Sequence, residues 1–250
     1  MKTPLLAGAA LSLLTASALA ADLGAPPLPY PPAPPPPFTW TSCYGGVHAG
    51  GGFGQANLND TVGTVSGVSG FTSANLDTSG WMAGGQLGCD YQFAPIWVVG
   101  IEGAGSGGHI GNRTTIAVPA VAAGDVATYK QSTDFLASVT ARLGYAWDHW
   151  MLYAKGGVAE SGNNYYVFDA QQNYNFQAND NRTGWTAGAG IEWAFWEDWS
   201  VRLEYDYYGF GTKSVTFIDS TISGVTGPLN VKQNVQVITL GANFHAYAGP

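Results

Sequence analysis

The chain is poor in charge. Only 10% of its 250 residues are charged, against about a quarter in an ordinary soluble domain. Disordered chains stay unfolded by carrying many charges and few apolar residues, so that class is excluded. Lys and Arg together number 9 against 17 Asp and Glu, the wrong sign for a nucleic-acid reader. Two cysteines build neither a disulfide scaffold nor a Cys-only zinc site. No two of His48, His109, His149 and His245 stand at metal-ligand spacing, HExxH is absent, and no GxSxG forms a plausible nucleophile elbow. Past the first twenty residues there is no apolar run of about eighteen, which excludes a transmembrane helix. Helical periodicity is missing from Phe38 onward. These absences lead us to expect no catalytic, cofactor-binding or metal-binding residues, no cofactor and no enzyme.

What is present begins with an address. Lys2 precedes the apolar stretch Leu5 to Leu14, and Ala18-Leu19-Ala20 forms a small-x-small cleavage site. Residues 1–20 therefore read as a secretory signal peptide. Nine of the fourteen prolines lie between Pro26 and Pro37, so residues 21–37 read as an extended periplasmic leader that cannot join a sheet. The remainder, 38–250, is expected to be one domain.

In that domain the alternation is strand-like. Trp81, Ala83, Leu87, Cys89, Tyr91 and Phe93 share one face, while Met82, Gln86, Asp90 and Gln92 share the other. Comparable segments lie near 42–55, 80–94, 96–105, 129–146, 150–160, 183–195, 199–211 and 233–244, which gives eight strands. Their connections alternate. Ala94-Pro95, Trp147-Asp148-His149 and Trp196-Glu197-Asp198 are tight turns, whereas 56–79, 106–128, 161–182 and 212–232 read as long polar loops. Trp40, Trp97, Trp147, Trp150, Trp193, Trp196 and Trp199 fall beside the tight turns, and Trp81 and Trp185 fall at the opposite end. Indole is apolar with one donor, so two such rings suit two membrane–water boundaries. The polar faces are rich in Gly, which fits a narrow, crowded interior better than a solvated exterior. The expected fold is all-β, an eight-stranded antiparallel up-and-down transmembrane β-barrel, apolar outside and polar within.

The stretches Trp40-Thr-Ser-Cys-Tyr-Gly-Gly-Val-His-Ala-Gly50, Gly84-Gly-Gln-Leu-Gly-Cys-Asp-Tyr-Gln92, Trp97-Val-Val-Gly-Ile-Glu102, Ala141-Arg-Leu-Gly-Tyr-Ala-Trp147, Gly184-Trp-Thr-Ala-Gly-Ala-Gly-Ile-Glu192 and Trp199-Ser-Val-Arg-Leu-Glu-Tyr-Asp-Tyr-Tyr208 carry a resemblance. In this order they resemble the small outer-membrane β-barrel "porin family" surface proteins of alphaproteobacteria, which share the OmpA-like eight-stranded fold. The resemblance covers about residues 38–244. It implies a Gram-negative outer-membrane location and a surface-exposed structural, antigenic or adhesive role without known catalysis; some members bind haem. Members usually end on an aromatic residue read by the barrel-assembly machinery, whereas here Phe244 is followed by His245-Ala-Tyr-Ala-Gly-Pro250. Cys43 and Cys89 are unusual for the family. Outward alternation puts both on one face of neighbouring strands, either bridged or as two free lipid-facing thiols.

Inward alternation gathers Glu102, Arg142, Lys155, Glu192, Arg202 and Glu204 into one interior, where opposite charges must pair or stay hydrated. His48 alternates onto the same face. Asn163 to Phe176, rich in Tyr and Asn, is either a contact surface for a host or sugar ligand or a continuation of the flanking strands. Eight strands leave a lumen filled by side chains, so the expected role is structural, maintaining the envelope and meeting surface partners. A narrow diffusion pore or a ligand-binding adhesin is the alternative. Expected partners are outer-membrane lipid and lipopolysaccharide, and the assembly machinery through the last strand near Phe244; no nucleic acid is expected.

Overall fold

The computed structural model describes residues 38–59, 73–117, 126–169, 174–219 and 225–246. The expected signal peptide and leader lie outside the described residues. The strands are β1 Ser42–Asn59, β2 Ser73–Ala94, β3 Trp97–Ala117, β4 Val126–Trp147, β5 Trp150–Asp169, β6 Tyr174–Trp196, β7 Trp199–Asp219 and β8 Val225–Ala246. Each pairs antiparallel with the next, and β1 pairs with β8, so the sheet closes and leaves no free edge. Two-residue turns at Pro95–Ile96, Asp148–His149 and Glu197–Asp198 join the strands at one end. Asp148 adopts φ 54°, the left-handed conformation that such hairpin turns need and that Asp tolerates.

The strands run further than expected at the other end. β2 begins at Ser73 instead of near 80, and β3 continues to Ala117 instead of stopping near 105. Much of the sequence expected as long loops is therefore paired ladder. Pairing needs only backbone, and it continues through polar sequence. Alternation of apolar with polar residues persists only where the surroundings outside the barrel are apolar, so it marks that band and not the strand ends. Asn163 to Phe176 shows this: β5 continues to Asp169 and β6 starts at Tyr174.

The two faces are inverted relative to a water-soluble barrel. Val47, Leu87, Ile101, Val139, Val158, Leu203 and Leu240 all lie outward and more than half exposed. Above and below this band stand exposed tryptophans: Trp97, Trp147, Trp150, Trp193, Trp196 and Trp199 near the tight turns, Trp81 and Trp185 at the far end. Trp40 departs from the expected ring. It is only 1% exposed, because the segment before β1 turns under the barrel. There the Trp40 backbone N–H donates to Gln92 Oε1 at 2.9 Å, its ring meets His245 edge-on, and Phe38 stacks on His149. Cys43 lies directly opposite Cys89, with Cα atoms 3.9 Å apart, and the two form a disulfide on the outer face.

The interior is stacked in layers. Nearest the tight turns, Trp40 packs with Val98, Ala146, Met151, Tyr153 and Ala194. A charged layer follows. Beyond it an apolar layer of Met82, Ile110, Leu136, Tyr208, Phe210, Val235 and Val237 crosses the lumen. Last comes a polar layer centred on Asn163, where Thr133 donates to Asn163 Oδ1 at 2.7 Å and Gln233 Nε2 donates to the same oxygen at 2.8 Å.

Candidate functional site

The charged layer is the densest concentration of chemistry among the described residues. Glu102 on β3, Arg142 on β4, Lys155 on β5, Glu192 on β6, and Arg202 with Glu204 on β7 are all buried and meet in one cluster. Glu102 sits at its centre. Lys155 Nζ donates to its Oε1 at 3.2 Å, Arg202 Nη1 donates to its Oε2, and Tyr44 donates to the same Oε2 at 2.7 Å. Arg142 Nη2 donates to Glu192 Oε2 at 2.8 Å, while its Nη1 donates to the Tyr44 hydroxyl. Lys155 also reaches Glu204 at 2.7 Å and Asp206 at 3.2 Å. The remaining lone pairs of Glu192 are served by Ser200 at 2.6 Å and Asn243 at 2.7 Å. Buried carboxylates and guanidiniums keep their charge at tolerable cost only when so surrounded.

Aromatic rings frame the central guanidinium. Arg142 Cζ lies 4.0 Å from the Tyr153 ring centroid and 5.3 Å from that of Tyr44, placing the cation against two π faces. Glycines make the room. A Cβ on Gly88 would stand 2.5 Å from the Tyr44 ring, and one on Gly190 would stand 2.5 Å from the Tyr153 hydroxyl.

Sequence reasoning missed part of this layer. Asp90 on β2 lies 3.5 Å from Arg142 Nη1, and Asp206 joins through Lys155. Both follow inward alternation on their strands, so the signal was there. Alternation puts Tyr44 on the lumen face with His48, and Tyr153 falls on the lumen face with Lys155, but a neutral hydroxyl does not mark either as a partner of the charges. His245, after the last outward aromatic residue, is buried between Ser42 and Ser200, at 2.9 and 2.8 Å. The residues following Phe244 thus extend β8 by an inward-facing histidine.

A second constellation involves His48. Its Nε2 lies 2.7 Å from Ser106 Oγ and its Nδ1 lies 2.6 Å from Gln86 Oε1. This is the spatial relation of hydroxyl, base and orienting group. The cavity beside it, lined among others by His48, Ser106, Leu136 and Tyr208, has a volume of about 10 Å³, room for one water molecule. No group of three or more metal-binding side chains is found among the described residues.

Residues 6–244 match the family model described as outer membrane protein beta-barrel domain. The chain is 28% identical, over 98% of its length and 99% of the other protein, to a 31 kDa outer-membrane immunogenic protein of Brucella melitensis. It is 30% identical, over 89% of its length and 91% of the other protein, to a 25 kDa outer-membrane immunogenic protein of Brucella abortus. Among solved structures, the outer membrane protease OmpT from Escherichia coli is similar at TM-score 0.52 and 10% identity, covering 84% of this chain and 98% of that one. A likeness at that identity concerns the barrel fold alone.

Proposed function

The chain belongs to the outer membrane protein β-barrel domain family and resides in the outer membrane, and from that premise we propose that it is a structural and surface-interaction barrel that neither catalyses nor conducts. The observation that carries this reading is the stacking of the interior: an apolar layer through Met82, Ile110 and Val235 lies directly over a paired charge layer. An apolar constriction repels water and ions, and an ion-paired layer holds its side chains in place. Two seals of different chemistry in one lumen favour a solid pillar over a passage.

A catalytic role for Ser106 and His48 has less support. A cavity that admits one water has no space for an acyl or peptide substrate, and Gln86 brings no negative charge to stabilise an imidazolium. The outward apolar band supports lipid as the principal partner, and the last strand around Phe244 is the segment we assign to the assembly machinery. That the Brucella relatives are outer-membrane immunogenic proteins supports exposure of the long-loop rim at the cell surface. That rim is where we place contact with a host or sugar ligand.

The test is a strain lacking the gene, assayed for detergent sensitivity and vesicle release. A structural role expects both to rise and the full-length chain to restore them. Unchanged sensitivity and vesicle release would overturn it.

A further inference from the structure

Of the nine Lys and Arg residues, Lys2 lies outside the described residues, Arg142, Lys155 and Arg202 fill the lumen, and Arg182 is buried in the upper interior. The other four, Arg113, Lys130, Lys213 and Lys232, are exposed, and all stand on the long-loop side of Trp81 and Trp185. No exposed Lys or Arg occurs at the tight-turn end among the described residues, where the turns instead carry Asp148, Glu197 and Asp198.

Two of these bases are placed against electrostatic sense. Arg113 on β3 and Lys130 on β4 are direct cross-strand partners. Arg113 stands three positions beyond inward Ile110, and Lys130 adjoins inward Gln131, so both side chains point outward. Like charges directly opposite one another weaken a sheet. No carboxylate of the described residues lies within ion-pair distance of either base. Asp134, on the same strand as Lys130, is engaged with His109 at 3.3 Å and accepts from Asn164 at 2.6 Å. The next residue in the row, Tyr166 on β5, pairs with Lys130 and offers its ring face 5.9 Å from Nζ. Lys213, by contrast, is satisfied by Asp180 at 2.6 Å.

Height on the barrel identifies what could lie between the two bases. Trp81 pairs with His109, four residues before Arg113 on β3. With a strand rise of about 3.3 Å and a tilt of about 40°, Arg113 stands roughly 10 Å above the upper tryptophans. Headgroups extend roughly 5–8 Å beyond the hydrocarbon on each side, and Lys and Arg side chains reach back along the surface to meet them.

We propose that Arg113 and Lys130, flanked by Tyr166, form a binding site for a phosphate group of the anionic glycolipid in the outer leaflet. The phosphate bridges the two cations and supplies the counter-charge that no ion pair of the described residues gives them, exposed Asp77 of β2, beside Arg113, forming none. The proposal rests on the outer-membrane reading and goes beyond it by naming a lipid contact and its residues.

The test uses the mature chain in nanodiscs of phosphatidylcholine doped with phosphorylated lipid A. Native mass spectrometry reads the lipid retained after transfer to detergent. The wild type is expected to retain lipid A in preference to its dephosphorylated form, and Arg113→Ala with Lys130→Ala should weaken retention about tenfold. Arg113→Lys should keep most of it. Heat-modifiable gel migration checks that each variant is a closed barrel, and Lys130→Gln alone serves if the double variant fails to fold. Equal retention by wild type and a folded double variant, equal retention of the dephosphorylated lipid, or displacement by inorganic phosphate would each overturn the assignment. Envelope assays separate this from the structural role: intact retention without a deletion phenotype removes that role and leaves the site standing.

Discussion

Between the tight turns and the level of Trp81 and Trp185, the barrel holds its charges inside and its aliphatic side chains outside. Glu102, Arg142, Lys155 and Glu192 face the axis there, and Val139, Leu203 and Leu240 face outward. Above that level the same eight strands continue with different materials. Thr133, Asn163 and Gln233, together with the buried ion pair of Arg182 and Asp180, occupy the interior, while Arg113 and Lys130 stand on the exterior. Apart from a break between β6 and β7 from Gln177 to Trp185, the backbone ladder runs through both zones, so what changes is chiefly the surroundings. Lipid admits no charge on the outer face and forces the ionised groups into a lumen where they must pair. Where the surroundings turn polar, bases can move outward, and the interior is held by neutral hydrogen bonds and the Arg182–Asp180 pair.

That contrast ranks the expected effects of substitution. The largest should come from the charged layer. Arg142→Ala removes the closest cation from Glu192 and one from Asp90, and should cost about 3–5 kcal/mol in urea titrations of the folded barrel. Adding Glu192→Gln should recover part of this loss. Adding Glu102→Gln should recover less, because Lys155 and Arg202 still hold Glu102. Next comes the lipid face, where Leu203→Arg should cost about 2–4 kcal/mol near the midplane and reduce the compact band in heat-modifiable gel migration. A smaller effect should follow Asn163→Ala in the extension. It leaves Thr133 and Gln233 short of their common acceptor, a loss of about 1–3 kcal/mol. This loss should appear as faster hydrogen exchange in the upper parts of β4 and β5, with the compact band intact. If Asn163→Ala unfolded the barrel as thoroughly as Arg142→Ala, the division into two zones would be wrong.

The lower zone was legible in the sequence because lipid imposes a period of two on every strand that crosses it. The charged pairs could be assembled from that period alone, since inward residues of neighbouring strands share an axis. Asp90 and Asp206 obeyed the same rule and were still overlooked: Asp206 stands beside the more conspicuous Arg202 and Glu204, and Asp90 is a lone charge in a segment of Gly, Cys and Tyr. Strand ends above the bilayer were not legible, because a polar ladder carries no alternation to read. The register moves with the strand ends: joining the expected ends 55 and 80 symmetrically about the first loop sets Cys43 opposite 92, whereas the ladder pairs Gln55 with Asp77 and Cys43 with Cys89. Trp40 misled for a related reason. It precedes β1, where no alternation distinguishes a boundary residue from one folded under the lumen.

Conductance across a planar lipid bilayer tests the sealed lumen most directly. The wild-type barrel should show no steady current, and Arg142→Ala should either destabilise the barrel or open a small, cation-preferring leak, since it deletes a positive charge from a layer rich in carboxylates. A large, steady wild-type conductance, unchanged by Arg142→Ala or Glu102→Gln, would contradict the sealed lumen and make the protein a pore.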